Sequence, residues 1–244
     1  MKRILRITAI PLAVILVSAL VRVALYSDDR EAAPAVRIGA TSALTLIIDP
    51  GHGGMDGGAV SIHGVRESEI NLDVAQRLEL IMGFFGVHTV TTRDSEELDY
   101  SKDATTIRAK KNEDIRNRIN LINSTENAVL ISIHQNKYHE PGPSGAQVLY
   151  ARTAGSREFA DGMQAALTSA LNPRRARKAT VVPKGVYIMN NITPLAILIE
   201  CGFLSNPDES SLLTSSEYRL KIAMAIAAGF LNNRDILETV VMGS

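Results

Sequence analysis

The sequence predicts an α/β domain, and three observations lead there. Short apolar runs alternate along the chain with longer stretches of helical periodicity. The runs LTLIID, NAVLISIH and LAILIE are nearly continuous in apolar side chains, as strands covered on both faces are. The length of 244 residues, 45% of them hydrophobic, suits one full-sized domain with an additional segment.

That additional segment comes first. Lys2, Arg3 and Arg6 precede an apolar run from Ile7 to Val21, and Arg22 leads into a shorter apolar patch ending at Tyr26. A positive start followed by an apolar helix is the pattern of export. The run falls short of the ~20 apolar residues of a full span, and no A-x-A cleavage site lies near its end. Residues 1–26 therefore fit a cleaved signal or a retained membrane anchor. Either leaves the remainder outside the cytoplasm. Residues 27–43 are polar, small and unpatterned, a tether. The folded domain is read as 44–236, with 237–244 as a tail.

Within the domain, LTLIID is the first strand. A helix follows over 67–85, because Ile70, Val74, Leu78, Ile81, Met82 and Phe85 recur at helical spacing before Gly86. VHTVTT is the second strand. The charged segment ending in IRNRINLIN is a helix with Ile115, Ile119 and Ile122 on one face. NAVLISIH and QVLYA are strands, 156–171 a helix, PRRARKAT a basic loop and LAILIE the last central strand. Asn206 and Pro207 start a helix as N-cap and first-turn proline. A final helix covers 217–232, with Ile222, Ile226 and Phe230 inward.

Composition excludes several functions. Zero formal net charge gives no electrostatic case for nucleic acid. The single cysteine, Cys201, excludes an internal disulfide, and strand alternation turns it away from Glu200 into the packing. The loop PGHGGMDGG after the first strand lacks both the G-x-G-x-x-G spacing and the Gly-Lys-Ser/Thr ending of nucleotide loops. Asp49 and Asp56 would also repel a phosphate. His63, His88 and His139 lie on polar or alternating segments and read as surface residues.

Three strands end in polar residues that strand chemistry does not need. LTLIID runs into His52, VLISI ends in His134 and LAILI ends in Glu200. Ligands of open α/β sheets sit beyond the carboxyl ends of the strands. Glu67 opens the helix after the first strand and shares the buried face of Ile70, Val74 and Leu78, where a carboxylate needs a cation or a set of donors. Singly, each has a structural explanation: a hydrogen-bonded histidine, an acid at a helix N-terminus, a glutamate paired with an arginine. Together, two histidines and a glutamate form a ligand set of catalytic zinc, and a second carboxylate serves as general base.

The blocks IIDPGHGG, ESEINL, TTRD, ISIHQN and IECGFLSN, in that order, resemble the zinc-dependent N-acetylmuramoyl-L-alanine amidases of the third amidase family, in particular the germination-specific branch of endospore formers. The resemblance runs from about Leu46 to the final helix. It implies a single domain built on a twisted, mixed, largely parallel sheet with helices on both faces. It implies one Zn2+ held by His52, Glu67 and His134, with Glu200 as the catalytic glutamate. The implied reaction is hydrolysis of the amide between muramic acid and L-alanine in peptidoglycan, in spore cortex maturation or germination. Some relatives carry a regulatory helix between the last histidine and the glutamate; the interval here has little room for one, so control falls to a partner or to timing. Many relatives also carry a basic residue near Asn190, where this chain has YIMNN. Asn136 and Arg177 are the candidate substrate contacts, the latter from the basic cluster Arg174, Arg175, Arg177 and Lys178, which also reads as a solvated loop. A zinc peptidase acting on another amide and a non-catalytic wall-binding protein are the alternatives.

Overall fold

The computed structural model describes residues 44–171 and 176–243. The readings of 1–26 and 27–43, together with Arg174 and Arg175, lie outside the described residues. The elements in order are β1 (Thr45–Pro50), α1 (Glu67–Phe84), β2 (His88–Thr91), α2 (Ile107–Ser124), β3 (Ala128–Asn136), β4 (Gln147–Tyr150), α3 (Ser156–Leu171), β5 (Thr180–Val181), a 3-10 turn (Ile188–Asn190), β6 (Leu195–Phe203), α4 (Pro207–Leu213), α5 (Ser216–Asn232) and α6 (Arg234–Met242). Among the described residues no helix is long and apolar enough to cross a membrane.

The sheet has six strands in the order β2-β1-β3-β6-β4-β5. Parallel pairing joins β2, β1, β3 and β6, while β4 runs antiparallel to β6. Alternation splits the core in two. Leu46, Ile48, Ile131, Ile133, Ile197 and Ile199 pack against α1, α3, α5 and α6. Ile47, Leu130, Ala196 and Leu198 face the other way, towards Ile122 of α2 and Met189 and Ile192 around the 3-10 turn. Among the described residues, α2 is the one long helix over that second face.

The predicted elements are present with boundaries within three residues, the largest difference being β6, which runs on past Glu200 to Phe203. Two features differ. The segment 237–244, read as a tail, carries most of α6, whose Leu237 is fully buried against the main core. Apolar residues at 236, 237, 240 and 241 recur at helical spacing, so the fold continues past Asn233. The second is β5, only two residues long, which extends the sheet beyond β4 through Leu149 and Tyr150. Cys201 and Glu67 are buried, and His63, His88 and His139 are exposed, as read from the sequence.

Candidate metal centre

The site begins where β1 ends. Past Pro50 the chain bends sharply, with His52 itself in the left-handed region (φ 61°) and Gly53 and Gly54 also at positive φ. A histidine is strained in that conformation, and such strain gathers at functional sites. Gly53 and Asp56 then exchange backbone hydrogen bonds of 2.8 and 3.0 Å, closing a tight turn. The turn brings the Asp56 carboxylate to 3.1 Å from His52 Nδ1, with Lys111 Nζ of α2 at 2.7 Å from the same oxygen.

Glycine is required here for space as well as conformation. A Cβ at Gly51 would overlap Cε1 and Nε2 of His134, and one at Gly58 would collide with Glu67 and His52. The loop is bare because the functional side chains occupy the volume its own side chains would fill.

Three groups converge. Glu67 Oε1 lies 3.3 Å from His52 Nε2 and 3.1 Å from His134 Nδ1. The three ligand atoms all fall within 4.8 Å of one another. Atoms held tetrahedrally at zinc–nitrogen and zinc–oxygen bond lengths stand roughly 3.3 Å apart, so the donor set fits such an ion. Glu67 is otherwise anchored by the backbone N–H groups of Ala59 (2.9 Å, to Oε2) and Gln135 (3.0 Å, to Oε1). Burial opposes its ionisation, yet His134 and His52 outweigh burial and hold it far below the usual carboxylate range. Burial likewise opposes charge on His52, but the Asp56 and Glu67 carboxylates raise it to about 9.

Glu200 stands directly opposite His134 in the parallel register of β3 and β6, so both project from the same face. Its Oε2 is buried with no hydrogen-bond partner among the described residues. Burial pushes its pKa up to about 6, against the pull of His134 and with Glu67 adding to the rise. A half-buried carboxyl titrating at about 6 beside a cluster that could hold a metal ion is equipped to take up and return a proton. Below His52 and His134 a cavity of about 170 Å³ opens between α2 and the 3-10 turn, lined by Lys111, Ile115, Ser132, Tyr187, Met189 and Leu198.

The two candidate substrate contacts are placed differently. Asn136 lies at the end of β3, just past an irregularity in pairing with β6, and its carbonyl accepts from Leu204 N–H. Arg177 donates to Ser144 O and to Gln147 Oε1, both at 2.9 Å, with its guanidinium 4.7 Å from the centre of the Phe203 ring. It lines a separate opening beside Tyr150 and Gln164 rather than the cavity under the histidines. Asn190 donates to the carbonyls of Pro183 and Val186 and accepts from Arg152, so it braces the preceding turn. The sequence reading missed Asp56 as a partner of His52, although a lone carboxylate inside a glycine loop was its visible signal. It also missed Arg93 and Arg118, whose burial depends on distant partners.

Comparison with known proteins supplies independent findings. The family model described as N-acetylmuramoyl-L-alanine amidase matches residues 46–232. A germination-specific N-acetylmuramoyl-L-alanine amidase of Bacillus subtilis is 38% identical over 192 residues, covering 78% of this chain and 79% of the relative. The CwlD amidase of Clostridioides difficile, solved in complex with the GerS lipoprotein, superposes with a TM-score of 0.74 at 32% identity, over 79% of this chain and 99% of that one. An N-acetylmuramoyl-L-alanine amidase from Clostridium difficile 630 gives a TM-score of 0.65 at 30% identity, over 79% and 97% of the two chains.

Proposed function

Because the chain belongs to the N-acetylmuramoyl-L-alanine amidase family and cleaves the amide between muramic acid and L-alanine, we propose that it does so with zinc held by His52, Glu67 and His134 and with Glu200 as general base and acid. One observation carries this reading: three ligand atoms meet near Glu200, whose buried Oε2 has no hydrogen-bond partner among the described residues. When bound, zinc supplies a Lewis acid that polarises the scissile carbonyl and acidifies water.

The chain's own residues do the rest. Glu200, ionised above about 6, takes a proton from the attacking water as its oxygen bonds to the amide carbon. As the carbon–nitrogen bond breaks, the same carboxyl returns that proton to the nitrogen, so the peptide leaves as a neutral amine. Asp56 accepts a hydrogen bond from the Nδ1–H of His52, which fixes the ring and the tautomer that would leave Nε2 free to hold a metal. Asn136 at the end of β3 is suited to orient substrate, and Arg177 to meet stem-peptide carboxylates from the neighbouring opening.

Similarity to a germination-specific relative supports a role in spore cortex. The basic and apolar start of the sequence supports action outside the cytoplasm, with membrane attachment if that segment is retained. The relative solved with a lipoprotein supports a regulatory protein partner. Digestion of purified muropeptides followed by mass measurement tests the chemistry. Release of intact stem peptides with free N-terminal alanine is expected; cleavage within the peptide instead marks a zinc peptidase, and no cleavage marks a wall-binding protein.

A further inference from the structure

Two buried arginines, from different elements, converge under the turn that carries His52. Arg93, just past β2, is 5% exposed, and Arg118, in the middle of α2, is 3% exposed. Arg93 donates from Nε to Pro50 O (3.0 Å) and from Nη2 to Gly51 O (3.2 Å) and Ser68 O (2.8 Å). Arg118 donates from Nη1 to Pro50 O (2.8 Å) and from Nη2 to His52 O (2.5 Å). Three consecutive carbonyls, those of Pro50, Gly51 and His52, are thus held by guanidinium groups. Ser68 O ties the same fork to the first turn of α1, one residue after Glu67.

The forks are themselves anchored. Arg118 Nη1 meets Asp49 Oδ1 at 2.8 Å and its Nε meets Asp114 Oδ1 at 2.9 Å. Arg93 Nη1 meets Glu96 Oε1 at 3.0 Å and Ser95 O at 3.0 Å. Asp49 is fixed in turn by Thr92 and Ser132, at 2.6 and 2.7 Å. Asp49, Asp114 and Glu96 offset the two positive charges, so the guanidinium pair does not oppose a cation nearby. Each fork is a rigid planar array of donors, which the single ammonium of lysine cannot reproduce.

We propose that Arg93 and Arg118 are positioning residues that clamp the strained His52 turn, so that metal affinity depends on them although neither touches the metal. The proposal rests on the zinc reading of the site above. The left-handed His52 backbone has no strand or helix ladder to hold it; the buried guanidinium groups supply the fixed donors instead. Loss of one fork frees the turn to relax, and His52 Nε2 swings away from Glu67 while the sheet beneath stays paired.

The test is zinc affinity, measured by chelator competition on the full chain, for the parent, Arg93→Lys and Arg118→Lys. Metal-free melting and the kcat at saturating zinc are measured alongside. Both variants are expected to bind zinc about 10–100-fold more weakly, the range of lost outer partners at metal sites, and to regain most of the parent kcat once zinc saturates. Should Arg118→Lys fail to fold, Asp114→Asn, which removes only the anchor of the guanidinium, is expected to weaken zinc binding in the same direction. Folded variants with zinc affinity within twofold of the parent overturn the clamp alone. A parent that takes up no zinc overturns the site reading and the clamp together.

Discussion

Gly51 lies so close against the imidazole of His134 that no side chain fits between them. The glycine is therefore part of the site's geometry, although it contributes no functional group. Gly51→Ala is expected to displace the His134 ring and to destabilise the fold by about 1–3 kcal/mol, the range for overpacking a filled space. Zinc titration and denaturant unfolding check both halves; an alanine variant with parental zinc affinity would show that the ring has room to move.

Glu200→Gln is expected to keep zinc and lose turnover by about 10²–10⁴-fold, the usual weight of positioned proton transfer. Elemental analysis beside muropeptide turnover separates the two effects. Unchanged turnover in a zinc-loaded variant would remove Glu200 from the chemistry.

The same substitution has a stability signature. The carboxyl of Glu200 titrates at about 6 in the folded chain against an ordinary value of 4.5. A raised pKa contributes stability that is fully present below about 4.5 and is lost as pH rises through about 6. That loss is on the order of 2 kcal/mol. Metal-free Glu200→Gln should therefore be more stable than the parent at pH 7, with the difference closing by pH 4.5. Urea unfolding of both proteins at the two pH values is the measurement.

His52 predicts a second window. Its folded pKa of about 9 stands above the ordinary 6.5, because Asp56 and Glu67 outweigh its burial. Its contribution is complete below 6.5 and disappears as pH rises through about 9. The metal-free protein should melt at progressively lower temperature across that interval. Zinc loading should remove this loss, since binding replaces the proton at His52. Melting curves against pH, with and without chelator, decide it.

Asp56→Asn leaves His52 without its carboxylate partner. Zinc affinity is expected to fall by about 10–100-fold. In the metal-free protein the His52 titration, followed by NMR, should move down towards its ordinary value. A titration that stays near 9 would assign the shift to Glu67 alone.

Much of this site is legible in the sequence, for a physical reason. Strands buried on both faces must be apolar throughout, so a histidine or glutamate at the end of ISIH or LAILIE stands out. Glu67 is visible because helical spacing places it on a buried stripe. Arg118 is not visible: it belongs to a helix rich in charge, with Arg108 and Arg116, and it is its distant partners Asp49, Pro50 and His52, 66 to 69 residues away in the chain, that bury it. Asp56 is half-hidden for a related reason, since loop geometry rather than periodicity decides which atom it meets. The last helix was recoverable in principle, but paired asparagines at 232 and 233 read as an ending when they form only a corner.

The register of β1 against β3 aligns Asp49 with Ser132 and Pro50 with Ile133, two stretches separated by the whole of α1, β2 and α2. Imidazoles 52 and 134 become neighbours only after that long loop has closed, a slow and entropically demanding event in chains of high contact order. A polypeptide in which that loop is still open cannot bring His52, Glu67 and His134 together. If His52, Glu67 and His134 hold zinc as proposed, ion capture reports the finished topology, and hydrolytic competence arrives together with the folded state.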